Sequence, residues 1–352
     1  MNILIAGAAG NLGSLLTKHL LTSPHHLRLL THERALPFDL PAGANAEIVR
    51  GDLNDPASLR TVCENIYCIV YLAGVLFQPH PEKFLRRTNT VYAQNLVGAA
   101  LAGGVRKFVL ISFPHVEENT TPDHPAKGAL DVEPKSIHAR TRLEAEKLLF
   151  RACESRLMIP LVLRAGVIYA GGVKLIEAAR SLMRRRLMAT WRKPTWIHLL
   201  ALPDFLRIIH IAIEKENLFG IYNLGDDQPM LLQEFLDRLA DHWRYPKPIR
   251  LPESAFHAAA FLCETFAVVF HTATPLNRDI VQMGMTSVVA DTSRMKREIV
   301  AGLLYPTLEG LALIWKAAGR RSRTKFLLQI LPGRRYSREV THRQWRTNRT
   351  HG

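Results

Sequence analysis

The sequence contains little cysteine and none of the spacings that usually hold a metal ion. Four cysteines occur among 352 residues, and no two of them form a C-x-x-C pair. This pattern argues against a disulfide framework or a thiolate zinc site, and we expect reduced thiols. The fifteen histidines form no H-E-x-x-H motif, and His25-His26 lies in ordinary loop sequence. We therefore predict no metal site.

Long apolar runs are missing as well. The longest stretch, from His257 to His271, covers about 15 residues and is interrupted by Glu264, whereas a membrane-spanning helix needs about 20. The first apolar segment, Ile3–Ala6, is typical of a buried strand and not of a cleavable leader. We expect a protein that is not transmembrane and that resides in the cytoplasm.

Acidic residues are outnumbered, and the formal net charge is +15. Residues 316–352 contain eleven Lys or Arg and a single acid, Glu339, so this segment alone carries +10. Such a tail is typical of a solvated, disordered extension. Tyr336 and Trp345 among the arginines keep open a second interpretation, contact with nucleic acid or another anionic surface.

Strand-like and helix-like segments alternate through the first half of the chain, which predicts an α/β fold with a Rossmann-type doubly wound parallel sheet. The predicted strands are Ile3–Ala6, Leu27–Thr31, Ile48-Val49, Ile66–Leu72, Lys107–Ile111 and Leu161–Arg164. The predicted helices are Asn11–Leu21, one starting at Asp55-Pro56, Asn89–Leu101 and Ser136–Cys153.

Beyond Tyr169 helical patterns dominate, including a basic piece at Leu182–Leu187 and the segments Leu231–Trp243 and Phe256–Phe270. We expect residues 1–170 to bind the nucleotide, with 195–226 returning to that domain. Residues 171–194 and 227–318 then form a smaller, mainly helical C-terminal substrate domain or lid, and 319–352 form the basic tail.

Three glycines follow the first predicted strand directly. Gly7 allows a tight turn, Gly10 allows the backbone to approach a pyrophosphate, and Gly13 allows close packing of helix on strand. The helix start at Asn11 and Leu12 then offers backbone N–H groups and the positive end of its dipole to phosphates. The pattern predicts a site for NAD(H) or NADP(H).

The end of the second strand favours NADP. A carboxylate there would bind the ribose 2′-hydroxyl and repel a 2′-phosphate, but this chain has Thr31 at that point. His32 and Arg34 follow and can hold a phosphate, whereas Glu33 between them points towards NAD. NADP is therefore the favoured cofactor and NAD the alternative.

Seven segments of the first 230 residues resemble, in order, landmarks of the extended short-chain dehydrogenase/reductase family, of the NAD-dependent epimerase/dehydratase type. The resemblance implies that Asp52 and Leu53 flank the adenine, and that Ala73, Gly74 and Ala165 lie beside the cofactor. The segments are Gly7–Gly13 (G-x-x-G-x-x-G), Gly51–Asp55 (GD(L/V)xD), Tyr71–Gly74 (HLAG), a helix from Asn89 (N-V-x-G-T), Gly104–Ser112 (G-V-K-R-F-V-Y-I-S), Leu163–Tyr169 (L-R-P-x-x-V-Y-G) and Gly220–Gly225 (G-x-x-Y-N-(V/L)-G).

The chain departs from the family at the catalytic positions. The family uses Y-x-x-x-K on one helical face, where the lysine lowers the tyrosine pKa. With Glu146 as landmark, His138 takes the tyrosine position and Arg142 the lysine position. The family's Ser or Thr position falls on Phe113, with Ser112 one residue earlier.

Two interpretations of this altered site remain open. In the first, the protein is an NAD(P)-dependent oxidoreductase or epimerase in which His138, titrating near neutrality, exchanges a proton. Arg142 binds ribose hydroxyls or a developing oxyanion, and Ser112 assists. The substrate is a small molecule with a carbonyl or hydroxyl group, and the apolar stretch Phe256–Phe270 favours an apolar one. In the second, the protein is a catalytically silent NAD(P)H sensor or assembly protein.

Overall fold

The computed structural model describes residues 1–74, 84–154, 157–270 and 276–306. For residues 268–270 it describes the backbone only. The basic tail lies outside the described residues. The strands are β1 (Asn2–Ala6), β2 (His26–Thr31), β3 (Ala46–Arg50), β4 (Cys68–Tyr71), β5 (Lys107–Ser112), β6 (Ile159–Ala165), β7 (Val167–Tyr169), β8 (Ala189–Trp191), β9 (Trp196–Ile197), β10 (Leu199–Ala201), β11 (Gly220–Leu224), β12 (Met230–Leu231) and β13 (Ile249–Leu251). The α-helices are α1 (Asn11–Leu20), α2 (Tyr92–Ala102), α3 (Ile137–Cys153), α4 (Lys174–Arg184), α5 (Leu202–Glu214), α6 (Leu232–Trp243), α7 (Glu253–Phe270), α8 (Arg278–Met285) and α9 (Ser293–Glu298).

Seven of these strands form one parallel sheet in the order β11-β6-β5-β4-β1-β2-β3. Because successive side chains of a strand point to opposite faces, β1 supplies two core layers. Ile3 and Ile5 belong to the layer that contains α1 and α5, whereas Leu4 and Ala6 belong to the layer that contains α2 and α3. The predicted doubly wound Rossmann-type fold is confirmed.

The strand order reverses between β1 and β4, the two neighbours from which the chain continues in opposite directions along the sheet. Open α/β sheets bind their ligands at this point, outside the carboxyl ends of the strands. The glycine turn follows β1, and Leu72–Gly74 follow β4, so both segments lie at this edge.

Several predicted elements differ in detail. The turn at Pro56–Leu59 is a short 3-10 helix that Asp55 caps by accepting a hydrogen bond from Ala57 N at 3.0 Å. The helix predicted from Asn89 begins earlier, with a π-helical turn at Arg86–Val91 that continues into α2.

The second half contains short strand pairs that the sequence did not predict. β7 pairs with β10, β8 with β13 and β9 with β12, and each pair is only two or three residues long. β11 joins the edge of the large sheet beside β6, so residues 220–224 complete the nucleotide-binding side of the molecule. Among the described helices, none combines the length and apolar character that crossing a bilayer requires.

Candidate nucleotide-binding and active site

The glycine turn brings α1, β1 and the end of β4 closer together than side chains would allow. Gly7 has a φ of +99°, and a Cβ on it would lie 2.8 Å from Ala73 N. A Cβ on Gly13 would lie 2.1 Å from Gly7 O. Gly10 N donates to Gly7 O at 2.8 Å and closes the turn. The turn therefore requires glycine at both ends.

The start of α1 is open to an anion. Its N-cap residue is Gly10, no side chain among the described residues caps it, and its first turn contains no acid. The backbone N–H groups of Asn11, Leu12 and Gly13 are therefore the ones that the helix itself leaves without partners. Together with the helix dipole they suit a pyrophosphate.

Asn11 connects this turn to the second half of the chain. Its Nδ2 donates to Gly172 O at 2.8 Å, and its Oδ1 accepts from Lys174 N at 2.8 Å. Both partners are backbone atoms: Gly172 lies in the loop after β7, and Lys174 is the first residue of α4. Asn11 thus fixes the position of this loop over the start of α1.

The two segments that the sequence predicts on the adenine side of the cofactor follow β2 and β3. His32 and Arg34 are exposed just after β2, and His32 Nε2 lies 3.8 Å from the carboxylate of Glu33. Asp52 Oδ1 accepts from Asn54 N at 2.8 Å. Leu53 is held from the other side, because its carbonyl accepts from Asn95 Nδ2 at 2.9 Å.

The helix that carries His138 and Arg142 is capped from a distant part of the chain. Ser136 is the N-cap of α3 and accepts from Ala139 N at 3.4 Å. Asp279, at the start of α8, accepts from Ile137 N at 2.7 Å and from His138 N at 3.2 Å. Asp279 gives no local signal in the sequence, because the residues it caps lie about 140 positions away.

His138 is buried, with 5% of its surface exposed, and its ring stacks on Phe113 with centroids 5.3 Å apart. Burial lowers its pKa to about 3, with smaller contributions from the positive charges of Arg142 and His115. The expectation that His138 titrates near neutrality is therefore wrong. Its imidazole stays neutral at physiological pH, and so does that of His115, whose pKa burial lowers to about 4.

Arg142 lies one helical turn after His138 and is 7% exposed. Its Nε and Nη1 are buried and have no hydrogen-bond partner among the described residues. Its Nη2 lies next to Gly74, three residues after the end of β4. A Cβ on Gly74 would lie only 2.6 Å from this nitrogen. Asn89 Oδ1 and the Tyr71 hydroxyl are also buried, and the residues that the structure describes offer them no hydrogen-bond partner. Burial lowers the pKa of Arg142, and Tyr71 and Glu146 partly offset this effect.

Ser112 is separated from this pair by its own hydrogen bond. It donates its hydroxyl proton to Glu146, and Glu146 in turn binds Arg164, whose Nη2 lies 2.6 Å from Oε2. Arg164 also contacts Glu117. Since a hydroxyl has one proton to donate, Ser112 is engaged in a buried structural network. Ala165, the next residue on β6, is buried at the carboxyl edge of the sheet.

A cavity of about 570 Å³ lies elsewhere, between α2 and α3. Residues such as Gln94, Leu101, Lys147 and Arg151 line it, and no predicted site residue does. We therefore assign the site from the sheet edge and its polar groups and not from this cavity.

Comparison with known proteins agrees with this geometry. Residues 7–151 match a family model described as NAD(P)H-binding. UDP-glucose 4-epimerase of Vibrio cholerae is 28% identical over 189 residues, 52% of this chain and 56% of that protein. 2-Alkyl-3-oxoalkanoate reductase of Stenotrophomonas maltophilia is 25% identical over 253 residues, 68% of this chain and 74% of that protein. The chain thus spans about half the length of the first curated relatives it matches.

Solved structures show the same fold over nearly the whole chain. MoeE5 in complex with UDP-glucuronic acid and NAD superposes with a TM-score of 0.72 at 18% identity, covering 92% of this chain and all of that one. The motifs, the NAD(P)H-binding match and the common fold agree. Residues 7–151 are thus similar to NAD(P)H-binding domains, and the motifs of this segment resemble those of the extended short-chain dehydrogenase/reductase family.

Proposed function

We propose that this protein is an NAD(P)-dependent oxidoreductase that reduces a carbonyl group, with NADP as the favoured cofactor. The observation that carries the proposal is Arg142, a buried guanidinium beside Gly74 at the switch point of the sheet, two of whose nitrogens have no hydrogen-bond partner among the described residues. A buried charge without partners is costly, and a bound ligand with oxygen acceptors would offset that cost.

The cofactor is held by the carboxyl edge of the sheet. Gly7, Gly10 and Gly13, with the N–H groups of Asn11 and Leu12, receive the pyrophosphate. His32 and Arg34 are exposed where a 2′-phosphate would lie, which supports NADP. Asp52 and Leu53 flank the adenine, and Ala73, Gly74 and Ala165 line the path to the nicotinamide. When bound, the cofactor supplies the hydride.

His138 and Arg142 act on the substrate oxygen in this proposal. A neutral imidazole donates a hydrogen bond through its N–H but has no extra proton to give. The fixed charge of Arg142 stabilises the negative charge that develops on the carbonyl oxygen during hydride addition. The oxygen then takes its proton from water. Alcohol oxidation is disfavoured, because it would create an imidazolium beside Arg142.

Ser112 has no direct part in this scheme. Its proton is donated to Glu146, so it positions α3 through the network with Arg164. The class of substrate is supported by the relative that aligns with 68% of this chain. That protein is a reductase of 2-alkyl-3-oxoalkanoates, and it favours an apolar carbonyl compound over a sugar nucleotide.

The proposal is tested by NADPH oxidation with a panel of 3-oxo acids of increasing chain length. His138→Phe removes the ring N–H, and we expect turnover to fall by roughly 100-fold or more while NADPH binding persists. His138→Gln keeps a donor and should retain more activity. His257→Gln, an exposed position on α7, is the matched control. Equal activity of the Phe variant and wild type would refute the role of His138.

A second candidate, a catalytically silent NAD(P)H-binding sensor, is favoured by one observation. Phe113 occupies the family's hydroxyl position and covers the His138 ring, whose pKa of about 3 leaves no proton for transfer at neutral pH. A sensor would bind NADPH and NADP with different affinities, turn over no member of the panel, and tolerate His138→Phe without change in binding.

A further inference from the structure

At the opposite edge of the sheet the fold collects three histidines and a glutamate from remote parts of the sequence. His25 directly precedes β2, His19 lies in the last turn of α1, and His210 and Glu214 occupy successive turns of α5. None of them contacts the nucleotide edge, since the amino ends of parallel strands lie on the far side of the sheet. The proposed reduction uses none of these side chains.

The distances fit a small cation. His25 Nε2 lies 3.1 Å and His210 Nε2 lies 3.4 Å from the same oxygen, Glu214 Oε1. One ligand atom from each of the three residues falls within 4.8 Å of the others. A tetrahedral zinc ion with ligands at about 2.0–2.2 Å separates its ligands by roughly 3.3–3.5 Å, so the two His-to-Glu distances already lie near the required values.

The surroundings favour a positive charge. α1 and α5 both end here, and the carboxyl ends of helices carry partial negative charge. Glu214 adds a full negative charge.

A second observation points to a ligand. His19 Nε2 is buried and has no hydrogen-bond partner among the described residues. Its ring packs edge-on against His210, with centroids 5.4 Å apart. A water molecule bound to the metal in the fourth position would give this nitrogen the partner that it lacks.

We propose that His25 Nε2, His210 Nε2 and Glu214 Oε1 bind a divalent cation of the zinc class, with water as fourth ligand hydrogen-bonded to His19. Two imidazoles and one carboxylate are a donor set that zinc accepts with an open fourth position. The ion links the start of β2 to α5, on the side of the sheet where α1 packs. The sequence predicted no metal site because His25 precedes His210 by 185 residues.

The test uses the full-length protein, freed of metal with a chelator, and ZnCl2 as titrant in calorimetry. We expect one site, with an accompanying rise in melting temperature. Co2+ should give the strong visible absorption of a tetrahedral ion. His210→Gln and Glu214→Gln are chosen because these side chains are 25% and 48% exposed, so the fold should tolerate them.

Each variant should weaken Zn2+ binding at least tenfold, the loss that follows even when only a supporting partner of a metal ligand is removed. His257→Gln is the control for weak sites on other histidines and should bind as wild type does. NADPH affinity should be unchanged in all variants. Absence of a site in the wild type, or equal Zn2+ affinity in wild type, His210→Gln and Glu214→Gln, would overturn the proposal.

Discussion

Replacing Arg142 by methionine should stabilise the protein while weakening its hold on the cofactor. The guanidinium is buried, and two of its nitrogens lack partners within the described part of the chain. Each unsatisfied buried donor costs about 1–3 kcal/mol, whereas the attraction to Glu146 offsets part of that cost. Methionine has a similar length and no charge. Replacing buried charged groups by apolar side chains of similar volume can stabilise a protein by about 1–4 kcal/mol. We expect the free energy of unfolding of Arg142→Met without ligand to rise by that amount.

The effect on the cofactor has the opposite sign. A hydrogen bond to a charged group contributes about 1.5–3 kcal/mol, which corresponds to a loss of about 10–150-fold in affinity. Arg142→Lys restores the charge that the family places here and should recover part of the loss. Binding is measured by NADPH fluorescence, and stability by urea unfolding without nucleotide.

Arg140→Met is the matched control, because Arg140 is exposed on the same helix and should change neither quantity. The reasoning would be refuted if Arg142→Met were destabilised and still bound NADPH as tightly as wild type. That result would show that the guanidinium supports the fold and not the ligand.

Three further predictions concern single residues. Gly13→Ala places a Cβ 2.1 Å from Gly7 O and should abolish measurable NADPH binding, whereas Gly98→Ala, whose Cβ meets nothing within 4 Å, should bind normally; normal binding by both would contradict the turn geometry. Burial raises the pKa of Asp226 from 3.8 to about 7, so the folded protein favours the protonated carboxyl. The stabilisation that comes from this protonation is complete below about pH 4 and is lost as the pH rises to 7. The unfolding free energy of Asp226→Asn relative to wild type should therefore increase from pH 4 to pH 7, by at most about 4 kcal/mol at about 1.36 kcal/mol per pKa unit. A difference between the two proteins in urea unfolding that does not change with pH would argue against this pKa. Arg34→Ala should lower NADPH affinity about tenfold while sparing NADH, and an equal loss for both in a fluorescence titration would remove Arg34 from the 2′-phosphate site.

The sequence was informative wherever structure depends on neighbours in the chain. The turn at Gly7 and Gly13 could be predicted because a strand, a glycine spacing and a helix follow one another directly. The helix with His138 was also placed, since Ser136 caps it locally and its apolar positions recur every three to four residues. The short pairs β7/β10, β8/β13 and β9/β12 were missed, because strands of two or three residues carry no periodic signal.

The environment of the site could not be predicted, because it depends on contacts between distant segments. The low pKa of His138 comes from burial, and burial is a property of the folded molecule. The cap from Asp279 and the cluster around Glu214 join residues separated by more than a hundred positions. Histidines that look unremarkable in a loop become ligands only when α5 brings their partners.

Asn11 has a consequence for building chimeric proteins from this fold. Its amide binds only main-chain atoms, Gly172 O and Lys174 N, so it places no demand on the side chains of a grafted second half. The graft must instead reproduce the path of the loop, and at Gly172 that path has a φ of +86°. A donor segment with glycine at this position is compatible with the two Asn11 hydrogen bonds, and one with a β-branched residue there is not.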